Sequence, residues 1–342
     1  MPFPTLKASE MCEERADLVT WLEDPGPLGG QCSWGMGLGP AEGRLEKRAA
    51  QRWATSLRAA SLTYTTSQLT RTALAAGDAF DDFRLEAHDI PSPHGFIAWE
   101  EPITAPVNLH ALSGMAVTGA TWAVHGGMVE IRWWTDKDSW VTDWTGGNPA
   151  SGVRQLSPDE VRRTRQMHPT RTVAVGYSAL RFGTSPQWPT VEMPSPGTID
   201  EADRAEYDLA AQRLVEAEKT LVATWLLMNQ TLVVDTPVHT PRPSLKRIGR
   251  LDPALLGVVR QVTLRHKNLA PDRVGKVDGP KREWAHRWLV TGHWRNQPYP
   301  LRLGYDSQGN AHTQRIWITD FFKGPEGAPL LDPDKLVNVL RR

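Results

Sequence analysis

Two runs of alternating side chains meet at Gly126-Gly127, with Met115 to His125 before the pair and Met128 to Thr135 after it. A period of two marks extended strands, and Gly-Gly supplies the positive φ angles that a tight hairpin turn needs. The centre of this chain is therefore constrained to an antiparallel hairpin. Phe96 to Ile103 reads as a further strand, with Pro102 marking its end or an edge position, and the region 94–144 as a meander. Thr172 to Leu180 adds another strand.

Helical periodicity lies on both sides of the meander. Leu45, Ala49, Trp53, Leu57 and Ala60 recur at three- and four-residue spacing within one long stretch, Arg44 to Ala76, closed by Gly77. Ser157-Pro-Asp-Glu160 carries the signature of a helix start. Thr198 to Gln230 is the clearest helix, and its last turns, Ala223-Thr-Trp-Leu-Leu-Met-Asn-Gln230, are apolar nearly all round, which predicts burial. Residues 1–43 hold one amphipathic piece, Ser9 to Leu22, followed by a Gly- and Pro-rich loop over 25–43. His239 to Arg250 is basic, contains two prolines and reads as a linker. Beyond it come four strand-like runs: Gly257 to Lys267, Trp284 to Gln297, Gln314 to Phe322 and Leu336 to Arg341. The expected fold is α+β, with a helical and strand-meander N-terminal part and a small, mostly antiparallel C-terminal sheet. Its expected division is an irregular arm over 1–43, an acidic α+β domain over 44–238 and a basic β-rich domain over 251–342.

Charge separates these parts. From Pro241 to Arg342 there are 19 Lys+Arg against 9 Asp+Glu, and Met1 to Thr240 holds 20 against 30, although the whole chain is formally neutral. A basic half of this kind fits a polyanionic partner; self-association of acidic with basic halves fits equally well. Of the 39 basic residues 29 are arginine, the side chain suited to bidentate phosphate contact, although a GC-rich genome gives the same bias.

Several classes are disfavoured. The chain has no G-x-x-x-x-G-K-[ST], no G-x-G-x-x-G before a helix and no G-x-S-x-G, which argues against NTPases, dinucleotide enzymes and ordinary serine hydrolases. Cys12 and Cys32 are the only cysteines, too few for cysteine-held zinc, and two reduced thiols are expected. Neither a membrane span nor a secretory leader is visible at the N-terminus, so a cytoplasmic protein without cofactor or membrane partner is expected. Asp136, Asp138 and Asp143 offer a weak divalent-ion reading beside the plainer one of a solvated acidic turn.

The densest chemistry lies between Trp284 and Leu331. Alternation places His286, Trp288, Val290, Gly292 and Trp294 on one strand face, read as the packed one, and Arg287, Leu289, Thr291, His293 and Arg295 on the other. Arg315 and Trp317 share a face of the following run, and Lys323 ends it. Pairing of the two runs would let Arg287, His293, Arg295, Arg315 and Lys323 converge around the flat ring of Trp317. Arginines for phosphates, a ring for stacking and a histidine that titrates near neutrality make a nucleic-acid-binding surface. The same pattern fits an amphipathic strand with a solvated arginine-rich face and core tryptophans.

The segments His286-Arg-Trp-Leu-Val-Thr-Gly-His-Trp-Arg-Asn-Gln297, Arg315-Ile-Trp-Ile318, Lys323-Gly-Pro-Glu-Gly-Ala-Pro-Leu-Leu331 and Val337 to Arg342 carry a resemblance. With Pro91 to Ile103 and Ala223 to Gln230, they resemble a family of uncharacterised actinobacterial proteins, often phage- or plasmid-associated. The likeness spans roughly residues 90–342 and implies a cytosolic protein of mobile-element origin, with no catalytic residue to carry over. Where relatives tend to have W-I-x-P-H-x-K-G, this chain has Trp317-Ile-Thr-Asp-Phe-Phe-Lys323, so Phe321 stands in place of a histidine. The leading expectation is a nucleic-acid-associated protein of mobile-element type, contacting phosphates through the C-terminal sheet. A metal-independent ribonuclease or toxin-like enzyme on the same surface is one alternative, and a self-associating interaction module is the other.

Overall fold

A computed structural model describes residues 5–23, 43–80, 84–103, 116–138, 157–159, 162, 170–183, 201–230, 233–264, 287–305, 307–325 and 329. The chain is α+β and divides into two compact units, Met1–Leu264 and Arg265–Arg342. No helix among the described residues is long and apolar enough to cross a membrane.

The first unit is built on a seven-stranded mixed sheet. Its strands are β1 (Ser61–Thr65), β2 (His94–Trp99), β3 (Gly119–His125), β4 (Met128–Asp136), β5 (Thr172–Arg181), β6 (Val233–Val238) and β7 (Val259–Leu264), in the order β5-β4-β3-β2-β1-β7-β6. β2 to β5 form the antiparallel meander, and Gly126 and Gly127 turn the central hairpin with φ of 52° and 84°. Two positive φ values at the turn match the right-handed twist of the flanking strands, which is why the glycine pair marked this hairpin so clearly. Consecutive positions of β4 put Trp133 and Trp134, both buried, on opposite sides of the sheet, and the register shift opposite them leaves Val175 as an extra residue of β5.

The middle of the sheet differs from expectation. β1 pairs in parallel with β2 on one side and β7 on the other, so it is a central strand. The expected long helix over 44–76 is in fact two helices, α2 (Gly43–Ala59) and α3 (Ser67–Asp78), separated by β1. Leu62-Thr-Tyr-Thr65 is a β-branched and aromatic run, and pairing on both edges outweighs the helical spacing around it. Gly77 lies inside α3 and not beyond it. Two carboxylates hold the start of this helix: Glu100 accepts from the Ser67 N–H at 2.6 Å, and Glu101 pairs with Arg71.

Helices cover both faces. α1 (Met11–Glu23) and α2 pack on one, where Met11, Leu18, Trp53 and Leu57 meet Leu62, Phe96, Trp134 and Val259 in a single buried cluster. α3 packs against α4 (Glu201–Met228), and α4 sets Trp225 edge-on to Trp122 of β3 with ring centroids 5.2 Å apart. Burial of Ala223 to Leu227 agrees with the all-round apolar end of that helix.

Two boundaries are corrected. The 1–43 arm contains a core helix, α1, which buries Glu14 and Arg15 by giving them hydrogen-bond partners. Glu14 accepts from the Thr172 N–H and hydroxyl and from the Arg171 N–H, while Arg15 donates to the carbonyls of Ala60 and Leu255. Cys12 is a buried free thiol, and Cys32 and the loop over 25–42 lie outside the described residues. The supposed linker 239–250 is largely helix α5 (Arg242–Leu251), and the run read over 257–267 supplies β7. Both belong to the first unit, whose limit is Leu264 and not residue 238.

Within the second unit, β8 (Trp288–Val290) pairs with β11 (Phe321–Lys323), and β9 (His293–Pro298) with β10 (Thr313–Ile318). A single turn of helix, α6 (Pro300–Leu303), lies in the connection between β9 and β10. Both ladders are antiparallel, as the alternation predicted. The run read over 336–341 and the helix read from Ser157 fall largely outside the described residues.

Candidate nucleic-acid interface

Each of the two long strands expected here is broken once. Thr291-Gly292 separates β8 from β9, and Thr319-Asp320 separates β10 from β11, so the interruptions face each other and divide the hairpin into two short ladders. Trp317 explains the break. Its side chain is 7% exposed, and a Cβ built on Gly292 would lie 2.5 Å from its Cζ2, so the indole occupies the space over that glycine. Trp294 meets Trp317 edge-on at 5.3 Å, and the Arg315 guanidinium lies 5.8 Å from the centre of the Trp294 ring.

Register decides which of the candidate residues share a face. Directly opposed residues of an antiparallel pair point the same way. Trp294 opposes Trp317 and Asn296 opposes Arg315, whereas His293 opposes Ile318 and Arg295 opposes Ile316. Arg315 and Trp317 therefore lie on one face of the β9–β10 ladder, and His293 and Arg295 on the other. The expected convergence of all four is overturned, because odd-numbered residues of β9 meet even-numbered ones of β10. Trp317 is a packing residue and not an exposed stacking platform. Assignment of Trp294 to packing agrees with its contacts.

His293 and Arg295 are exposed, and Gln297 and Gln314 adjoin them on the same face. The Nδ1 of His293 lies 3.0 Å from the Thr291 carbonyl, which can only accept. Nδ1 is thus the protonated nitrogen, and Nε2 is left as the acceptor of the neutral ring. Arg295 donates to the Gln297 amide oxygen at 2.5 Å and has no carboxylate partner among the described residues. Arg287 is half-buried and donates its backbone N–H to Pro329 at 2.9 Å, while Lys323 is exposed opposite Trp288. Phe321 is 44% exposed and opposes Val290.

The first unit holds charged groups that the sequence reading did not single out. The Arg132 guanidinium lies between the rings of Trp53 at 4.7 Å and Tyr177 at 5.0 Å, and burial lowers its pKa to about 10. Glu218 of α4 is fully buried. Among the described residues, no group of three or more His, Cys, Asp or Glu is placed to hold a metal ion, and Asp143 lies outside them. No protein-family model and no curated protein matches the chain.

Packing of Trp317 over Gly292 gives a direct test of the interrupted hairpin. Gly292→Ala should force the indole aside and weaken the β9–β10 ladder by about 2 kcal/mol, read as roughly thirtyfold faster amide exchange in those strands. Unchanged exchange would show that Trp317 does not hold the break.

Proposed function

We propose that the second unit contacts the phosphates of a nucleic acid through the β9–β10 face that carries His293 and Arg295, as part of a protein of mobile-element type. The observation that supports this reading most is the exposure of both side chains on one ladder face, with Gln297 and Gln314 as neighbouring hydrogen-bonding groups. Arg295 has no carboxylate among the described residues to neutralise it. The charge of the unit fits: residues 265–342 hold 14 Lys+Arg against 8 Asp+Glu. Arginine contacts phosphate through its fork of donors, glutamine through its amide, and neither needs a particular base sequence.

Retention on duplex DNA and on single-stranded RNA across a salt series tests the reading. Wild type should bind at low salt and lose affinity steeply as salt rises. The pair His293→Ala and Arg295→Ala should weaken binding about tenfold and reduce the salt slope by roughly one, whereas Arg315→Ala, on the packed face, should leave the slope nearly unchanged. Equal retention by wild type and the double variant would remove the proposal.

A further inference from the structure

Among the described residues, helix α5 packs against α1 along one side. There Ser244 and Ile248 are buried, and Arg247 reaches across to α1, pairing with Asp17 at 2.7 Å and Glu13 at 3.6 Å. Glu13 and Asp17 are four residues apart, so one acidic helix presents two carboxylates in a row to a cation of α5. The opposite side of α5 carries Arg242, Lys246 and Arg250, spaced i, i+4, i+8, which makes a straight stripe with about 6 Å of rise between successive members. All three are exposed, and none pairs with a carboxylate among the described residues. The fold neutralises the arginine facing α1 and leaves this outer row to solvent.

An apolar strip adjoins the stripe. Gly249 has no side chain, and a Cβ built there would sit 3.8 Å from Leu256 Cδ1, so Leu256 lies against α5 at the turn between Lys246 and Arg250. Leu256 is 44% exposed, and Val258, two residues further along, is 63% exposed. Leu245 is half-buried on the same flank of the helix.

We infer that this outer face of α5 docks an acidic, amphipathic helix of a protein partner. Carboxylates four residues apart on that helix would meet Arg242, Lys246 and Arg250, repeating the arrangement by which α1 meets Arg247, and its aliphatic edge would cover Leu256 and Val258. Exposed ion pairs are individually weak, so three in register together with buried aliphatic surface are needed to hold such a helix. A phosphate backbone satisfies the cations but supplies little to cover the aliphatic strip. This favours a protein segment over nucleic acid. The inference does not rest on the reading of the second unit.

The test uses the full chain and a fluorescently labelled helical peptide with glutamates four residues apart on one face and leucines along the adjoining face. Saturable micromolar binding is expected at low salt. Reversal of the stripe by Arg242→Glu, Lys246→Glu and Arg250→Glu should weaken it at least tenfold, and Leu256→Ser with Val258→Ser several-fold, both without loss of thermal stability. If the triple reversal fails to fold, Arg242→Gln with Lys246→Gln serves in its place, with the same direction of change. His293→Ala with Arg295→Ala should leave peptide affinity unaltered, which separates this surface from the nucleic-acid face. Absence of saturable binding, or peptide affinity indifferent to the stripe, overturns the inference. So does a stripe reversal that costs duplex DNA or phosphatidylserine vesicles more affinity than it costs the peptide.

Discussion

Glu218→Gln should leave the first unit more stable than wild type at neutral and alkaline pH, and the gap between them should open as pH rises from about 4.5 to about 8. Glu218 is fully buried on α4, and neither carboxyl oxygen has a hydrogen-bond partner among the described residues. Burial raises its pKa from 4.5 to about 8, and the nearby Ser178 hydroxyl, which accepts from the Trp133 indole at 3.1 Å and whose approach to the carboxyl falls short of a full hydrogen bond, opposes this only in part. No charged side chain contributes to the shift. The carboxyl is therefore protonated in the folded chain at pH 7 and ionised in the unfolded one. A raised folded pKa means that stability is full below about pH 4.5 and is lost progressively as pH climbs through about 8. Glutamine has the shape of the protonated acid and does not titrate, so the difference reaches roughly 4 kcal/mol at the upper end. Urea unfolding of both proteins at several pH values measures it, followed by a probe on the sheet. Parallel stability curves would mean that Glu218 is hydrated or paired in solution.

Much of the sheet was legible from alternation and glycine alone. The β3–β4 hairpin, β5, α4 and the antiparallel pairing of the C-terminal runs follow from patterns within one segment, where periodicity and turn chemistry agree. The central strand was hidden because its signal is only five residues long and lies between two stretches of helical spacing. Its position is decided by β2 and β7, the latter almost two hundred residues away, and local pattern carries no such information. The linker hides a helix for a related reason, whereas in the arm the amphipathic piece Ser9 to Leu22 does mark helix α1. Basic charge and two prolines make 239–250 look like a linker, but one proline sits in the first turn of α5 and Arg247 pairs with Asp17 of α1. Periodicity in α1 likewise gives no sign that Glu14 and Arg15 are buried against polar partners. At the C-terminal hairpin, alternation separates His293 and Arg295 from Trp294 within β9 and joins Arg315 to Trp317 within β10. The relative register of the two strands was the missing quantity, and a shift of one residue decides whether His293 shares a face with Trp317.

Gly95→Ala should be among the most damaging single-methyl additions in the first unit. Gly95 lies in β2, between Ser61 of β1 and Trp122 of β3, and a Cβ there would sit 2.0 Å from Trp122 Cζ2 and 2.3 Å from Cη2. No real Cβ tolerates such an approach, so either the ring or the strand must move. The ring is not free to do so. Its indole N–H donates to the Ser92 carbonyl at 2.9 Å, and Trp225 of α4 meets it edge-on from above. Strand movement would strain pairing on both edges of β2, which is held by β1 and β3. A loss of about 3 kcal/mol or more is expected, at the upper end of what overpacking usually costs. The mechanism can be separated from general intolerance at this site by a double-mutant cycle. Trp122→Leu removes the ring atoms in the way and costs stability by itself, but adding Gly95→Ala to it should then cost less than about 1 kcal/mol. Additive losses would place the damage in the β2 backbone instead of in the contact with Trp122.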